Sequence, residues 1–140
     1  MKEKIRVEID HPDIKVDKKY LNKLAECVAR DEQLPLWELT LIISTDEYLK
    51  YLHKTYLKSN KYTDVITFNL GESFNIEAEI YISADMAKLN AKKYGIDFES
   101  ELARLVIHGI LHLKGYQDSS SLQREIMRKH EEKYLEKYTH

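Results

Sequence analysis

Residues 108–118, HGILHLKGYQD, set two histidines four positions apart, then a glycine, then an aspartate. On a helix His108 and His112 are one turn apart and project from the same face. Two imidazoles so placed suit two of the ligand positions of a tetrahedral zinc ion. Gly115 permits a left-handed exit that turns the chain back toward that face, where Asp118 can supply a third ligand. The spacing is that of the zinc-peptidase pattern H-E-x-x-H-x-x-G-x-x-H, with Gly109 where the general-base glutamate stands and Asp118 where the last histidine stands. Glycine within a helix costs about 1 kcal/mol relative to alanine, and a purely structural helix has little reason to bear that beside a histidine. Gly109 cannot act as a base, so it is expected instead to leave open space beside the metal for a substrate. Asp118 has a second reading. The run DSSSLQRE that it begins is full of capping residues, so it is equally placed to cap the next helix.

The elements that must position these residues follow from periodicity. KIRVEID (4–10) alternates and predicts a strand with Ile5, Val7 and Ile9 inward. Asp17 is placed to cap a helix whose stripe is Tyr20, Leu21, Leu24, Cys27 and Val28. WELTLIIS (37–44) predicts a second strand, and Ser44 or Thr45 starts a helix over 46–57 with Tyr48, Leu52 and Tyr56 on one face. TDVITFNL (63–70) and AEIYIS (78–83) predict two more strands, joined by a connector short enough for a hairpin. Ser83 caps a helix that Gly95 closes. The metal helix then runs through DFESELARLVIHGILHLKG with Leu102, Leu105, Val106 and Leu113 on its buried side, and an amphipathic helix over 121–138 ends the chain. The order βαβαββααα predicts an α+β fold, a single domain over residues 1–140 with a mixed sheet of about four strands and helices packed around it.

Composition narrows the function classes. A chain of 140 residues, 43% hydrophobic and 33% charged, has the size and balance of one globular domain. No apolar run approaches the roughly 18 residues needed to span a bilayer, and the N-terminus has no apolar block of a signal peptide. Cys27 is the one cysteine, so no disulfide framework is possible within the chain and a reducing cytoplasm is expected. A formal net charge of −2 gives no nucleic-acid footprint by itself; a nucleic-acid enzyme would have to gather its cations on one face.

HGILHLKGYQD resembles the signature HGxLHLxGYDH of the YbeY-type endoribonucleases, bacterial rRNA maturation factors. LHKTYLKSNKYTDVITFNL (52–70) is similar to the family segment LNxxYRxxxxxTDVLSFxF, AEIYIS to its GDIxIS strand, and YGIDFESELARLVIHG, with Glu101 and Leu102, to the segment leading into the metal helix. The similarity extends over most of the chain from about residue 36 and its motifs occur in order. It implies metal-dependent, single-strand-specific RNA cleavage in rRNA maturation and ribosome quality control, with one zinc or other divalent ion per chain and, as partners, a single-stranded rRNA precursor and the ribosome or its small subunit. By position, His108 and His112 are the first two ligands, and the third falls on Asp118 where the family has histidine. Gln117 replaces an aspartate and Leu57 an arginine, which removes a natural phosphate clamp.

An aspartate ligand is legitimate for zinc but adds negative charge and so weakens the ion's Lewis acidity. Catalysis is expected to run through the metal at His108 and His112, with Arg104 as a further catalytic candidate. Lys58, Lys61, Arg104 and Lys114 are the candidates for holding the RNA backbone. Asp64 either orients the site or is a turn residue, and Tyr116 either stacks on a base or covers the loop. Two rival functions remain: a non-catalytic ribosome-associated RNA-binding factor with a structural metal, which Leu57 and Asp118 favour, and a zinc peptidase, which Gly109 disfavours.

Overall fold

The computed structural model describes residues 4–57, 63–72 and 74–138, so Lys58 and Lys61 lie outside the described residues. Strands β1 (Lys4–Ile9), β2 (Leu36–Ser44), β3 (Val65–Asn69) and β4 (Ile76–Ser83) form one sheet in the order β1-β2-β4-β3. β1 and β4 run parallel to β2 on its two sides, and β3 closes the far edge antiparallel to β4. The fold is therefore α+β with a mixed sheet of four strands, as expected. Parallel neighbours need crossovers, and α1 (Lys18–Asp31) supplies the one between β1 and β2.

Alternation along the strands sorts side chains to the two faces of the sheet. Leu39, Leu41 and Ile43 of β2 and Ala78, Ile80 and Ile82 of β4 are buried on one face. They form the main core with α1, α3 (Ala84–Tyr94), α4 (Phe98–Lys114) and α5 (Ser121–Tyr138). The opposite face is covered by α2 (Asp46–Leu57), through Leu49 and Leu52 packed on Ile66, Phe68 and Tyr81. The expected stripe of Tyr48, Leu52 and Tyr56 is thus corrected: Leu49 and Leu52 are buried, whereas Tyr48 and Tyr56 are exposed. One short helix on a sheet edge buries only the residues of its central line. The tyrosines flank that line, Tyr56 edge-on to Phe68 at 5.6 Å and Tyr48 6.0 Å from Tyr81.

The helix ends form where capping chemistry predicts. Asp17, Thr45 and Ser83 accept from the backbone N–H three residues on, at 3.0, 3.1 and 3.0 Å. Asp97 does the same for α4, accepting from Ser100 at 2.7 Å.

α4 lies at the centre of the helical layer, touching α1, α3, α5 and the sheet. Gly109 makes its close approach to β4 possible. A Cβ built there would stand 2.8 Å from Ile80 Cγ2 and 2.9 Å from Ile80 Cδ1. The expectation that Gly109 opens space beside the metal is therefore corrected: the glycine is buried and faces the sheet. Leu113, one turn on, is only half-buried. Among the described residues no helix is long and apolar enough to cross a membrane.

Candidate metal centre

Because α4 is buried along one side, its other side must carry residues that face α5 and the loop between them. His108 and His112 lie there, one turn apart. Gly115 ends the helix in the left-handed region at φ 117°, and the chain folds back so that Asp118 faces both rings. His108 Nε2 and His112 Nε2 are 3.0 Å apart. Asp118 Oδ2 lies 3.2 Å from the first and 3.3 Å from the second. Ligand atoms about 2.0–2.1 Å from a tetrahedral zinc stand about 3.3–3.4 Å from one another. The triangle thus has nearly the edge lengths that a tetrahedral ion requires, and its donor set of two imidazoles and one carboxylate is a borderline-soft set that suits zinc.

The alternative role of Asp118 as a helix cap is not the one observed. Ser120 Oγ accepts from Gln123 N at 3.1 Å, and Gln123 Oε1 accepts from Ser120 N at 3.1 Å, a reciprocal capping box. Asp118 is thereby left to the histidines, while its carbonyl accepts from Arg124 at 3.3 Å.

Beneath the triangle lies a buried polar network that composition and motif reading missed. His108 Nδ1 is 2.6 Å from Glu131 Oε2. The other oxygen of Glu131 accepts from Arg104 Nη1 at 3.0 Å, and Arg104 makes a fork to Glu101 through Nε at 2.9 Å and Nη2 at 2.6 Å. Asn90 of α3 joins Glu101 and Asp64 at 3.0 and 3.2 Å. Glu101 and Glu131 are 0% and 3% exposed, and such carboxylates persist in a protein interior only when paired and hydrogen-bonded. The sequence did carry a signal for Glu131. It lies between Met127 and Tyr134 on the buried stripe of α5, and a carboxylate on an apolar stripe needs a partner.

The charges follow from these contacts. Burial works against a proton on His108, but the hydrogen bond and charge of Glu131, with Asp118 and Asp64, outweigh it and raise its pKa above 6.5. Burial likewise opposes the charge on Arg104, and Glu101 and Glu131 more than offset it.

The expected site residues divide. His108, His112 and Asp118 converge. Arg104 is near them but turned into the carboxylates. Lys114 is exposed at the end of α4 and Leu57 at the end of α2. Asp64 accepts from Asn90 at 3.2 Å and lies 3.9 Å from Arg104. Tyr116 packs against the main core, its ring 4.7 Å from that of His130, in the covering role. Two grooves meet at the triangle. His108 and Asp118 line one, whose walls include Tyr94, Ile96, Arg124 and Arg128. His112 lines the other, with His53, Leu57 and Asn69.

A family profile described as endoribonuclease YbeY matches residues 4–139. The chain is 40% identical over 116 residues to the endoribonuclease YbeY of Karelsulcia muelleri, covering 83% of this chain and 82% of that one. It is 44% identical over 109 residues to that of Amoebophilus asiaticus, covering 77% and 74% of the two chains. Its fold is similar to the solution structure of TM1509 from Thermotoga maritima, with a TM-score of 0.60 and 28% identity over 96% of this chain and 91% of that one. With matches of this extent, the chain belongs to the endoribonuclease YbeY family.

Proposed function

We propose that this chain is a metal-dependent endoribonuclease that cuts single-stranded RNA, acting in the cytoplasm in rRNA maturation and ribosome quality control. The observation that carries this reading is the convergence of His108 Nε2, His112 Nε2 and Asp118 Oδ2 within 3.3 Å of one another, where two grooves meet, in a chain of this family. These three residues would hold one ion, with zinc the best match to the donor set. When bound, such an ion supplies Lewis acidity toward a phosphate oxygen or the attacking water.

The protein's own part is to bind and orient the strand. Arg124 and Arg128 are exposed on one wall of the first groove, four positions apart on α5, and suit successive phosphates. Tyr94, 60% exposed on the same groove, offers a stacking face to an unpaired base. Bases already stacked in a duplex cannot reach it, which agrees with single-strand specificity. Lys58, Lys61 and Lys114 are further candidates for the backbone. Arg104 spends its guanidinium on Glu101 and Glu131, which favours a positioning role over a phosphate clamp. An rRNA precursor and the ribosome or its small subunit are the partners this reading names.

Leu57 favours a second reading, a ribosome-associated RNA-binding factor with a structural metal. It sets an apolar, half-exposed side chain in the groove beside His112. The test is cleavage of a labelled RNA that contains paired and unpaired segments. The enzyme reading expects cuts in the unpaired segments that cease with His112→Ala and with a chelator. Binding without cutting favours the factor, and equal cutting by the His112→Ala protein exposes a contaminating nuclease.

A further inference from the structure

We propose that Glu131 of α5 is a positioning residue for the metal centre, fixing the tautomer and the plane of His108, and that Arg104 acts on the site only by holding Glu131. The proposal rests on the reading of His108 as a ligand. It concerns a residue on a different helix, 23 positions further along the chain.

Donors and acceptors decide the tautomer. An ionised carboxylate only accepts, so the 2.6 Å contact between Glu131 Oε2 and His108 Nδ1 requires the proton to be on Nδ1. The lone pair of a neutral ring is then on Nε2, the atom that faces His112 and Asp118 at 3.0 and 3.2 Å. Without that contact a free imidazole could present either nitrogen, and the wrong tautomer would turn an N–H toward the ion. The same bond holds the plane of the ring, since rotation about its Cβ–Cγ bond would break it.

Glu131 can do this only if it is itself fixed. Its two oxygens are divided, Oε1 to Arg104 Nη1 at 3.0 Å and Oε2 to His108. Arg104 is fixed in turn by its fork to Glu101, and Glu101 by Asn90. The chain of contacts crosses α3, α4 and α5, so three helices determine one ring orientation. Its members are buried or partly buried, where each bond is stronger than it would be in water. Outer carboxylates of this kind typically change metal affinity by roughly 10–100-fold when removed.

The test is metal affinity, measured by competition between the whole protein and a chromophoric chelator for zinc and for cobalt(II). Glu131→Ala should bind the ion roughly 10–100-fold more weakly than wild type. Glu131→Gln, which can still accept from Nδ1–H, should fall between the two. Glu136→Gln, on the exposed side of α5, should match wild type. Ring ¹⁵N shifts of His108 in the zinc-loaded protein should show a protonated Nδ1 and a metal-bound Nε2. A general loss of fold would not give the graded order, and thermal unfolding of the metal-free variants separates that case. Affinities of Glu131→Ala and Glu131→Gln within about twofold of wild type, or a ring bound through Nδ1, overturn this proposal and leave the metal centre intact. A wild-type protein that binds no metal overturns both.

Discussion

Replacing Gly109 with alanine tests whether the metal helix is set by contact with the sheet. On helix propensity alone the change should stabilise the protein by about 1 kcal/mol. The structure predicts otherwise, because the new methyl would lie 2.8 Å from Ile80 Cγ2 and 2.9 Å from Cδ1. Non-bonded carbons rest about 3.5–4.0 Å apart, so α4 or Ile80 must give by about 0.7 Å or more. Ile80 is 0% exposed and β-branched, so it has little room to turn. Overpacking of this kind costs about 1–3 kcal/mol, so Gly109→Ala should be neutral to about 2 kcal/mol destabilising. Ile80→Ala alone should cost about 2–5 kcal/mol. In that background Gly109→Ala should recover the helix-propensity gain of about 1 kcal/mol, because the obstructing atoms are gone. The cycle should therefore show a favourable coupling of about 1–3 kcal/mol. Urea unfolding of the four metal-free proteins measures it, provided the m-values agree. Effects that add within about 0.5 kcal/mol, or a Gly109→Ala protein stabilised on its own, would refute the packing argument and return Gly109 to the open space that its position beside His108 suggests.

Exchanging Arg124 and Arg128 together for glutamine should weaken single-stranded RNA binding and reduce its salt slope by about 0.7 for each phosphate no longer neutralised, read by anisotropy across a salt series. An unchanged slope would remove both from the RNA path. Ser120→Ala should cost about 1 kcal/mol in unfolding free energy with metal content unchanged, whereas Asp118→Asn should lose metal affinity with little effect on metal-free stability. The reverse pattern would make Asp118 the cap. Asp85 tests pH dependence away from the metal centre. The backbone N–H of Asp46 at 2.9 Å holds its carboxyl below 3.8 against the opposing effect of burial, and His11 at 3.0 Å adds to the lowering. A depressed carboxyl contributes stability that is present above 3.8 and lost as pH falls through the folded value. Asp85→Asn should therefore cost about 1 kcal/mol or less at pH 7, since the side chain is 41% exposed, and the gap to wild type should close in acid. A gap constant down to about pH 2 would contradict the assignment.

How much of this could be read from the chain depended on whether the deciding interaction was local. Caps at Asp17 and Ser83 and the left-handed exit at Gly115 are written within three or four residues, so the elements and the return of Asp118 were legible. So were His108 and His112, whose shared face needs only helical geometry. The role of Gly109 depends on Ile80, 29 positions away on a strand, and nothing beside Gly109 encodes that distance. Of the partners of Arg104, Glu101 lies one turn back on α4, but Glu131 was hidden for the same reason. The charge of Arg104 suggested phosphate, while the carboxylate that matters lies 27 residues further on in α5. On α2 the tyrosine spacing was as regular as that of the leucines, and only the sheet edge decides which line is covered. The run DSSS holds several capping residues in succession, and the Gln123 side chain selects Ser120 among them.

RNA cleavage should depend on one ion that His108, His112 and Asp118 hold together. The most direct test is a titration: untagged protein is stripped with a chelator, zinc is returned in steps, and cleavage of a single-stranded RNA is followed. Cleavage should be absent at the start and should saturate at one ion per chain in the wild type. His112→Ala should stay inactive across the same range. Full cleavage by the stripped wild type, or recovery by His112→Ala along the same curve, would contradict that dependence.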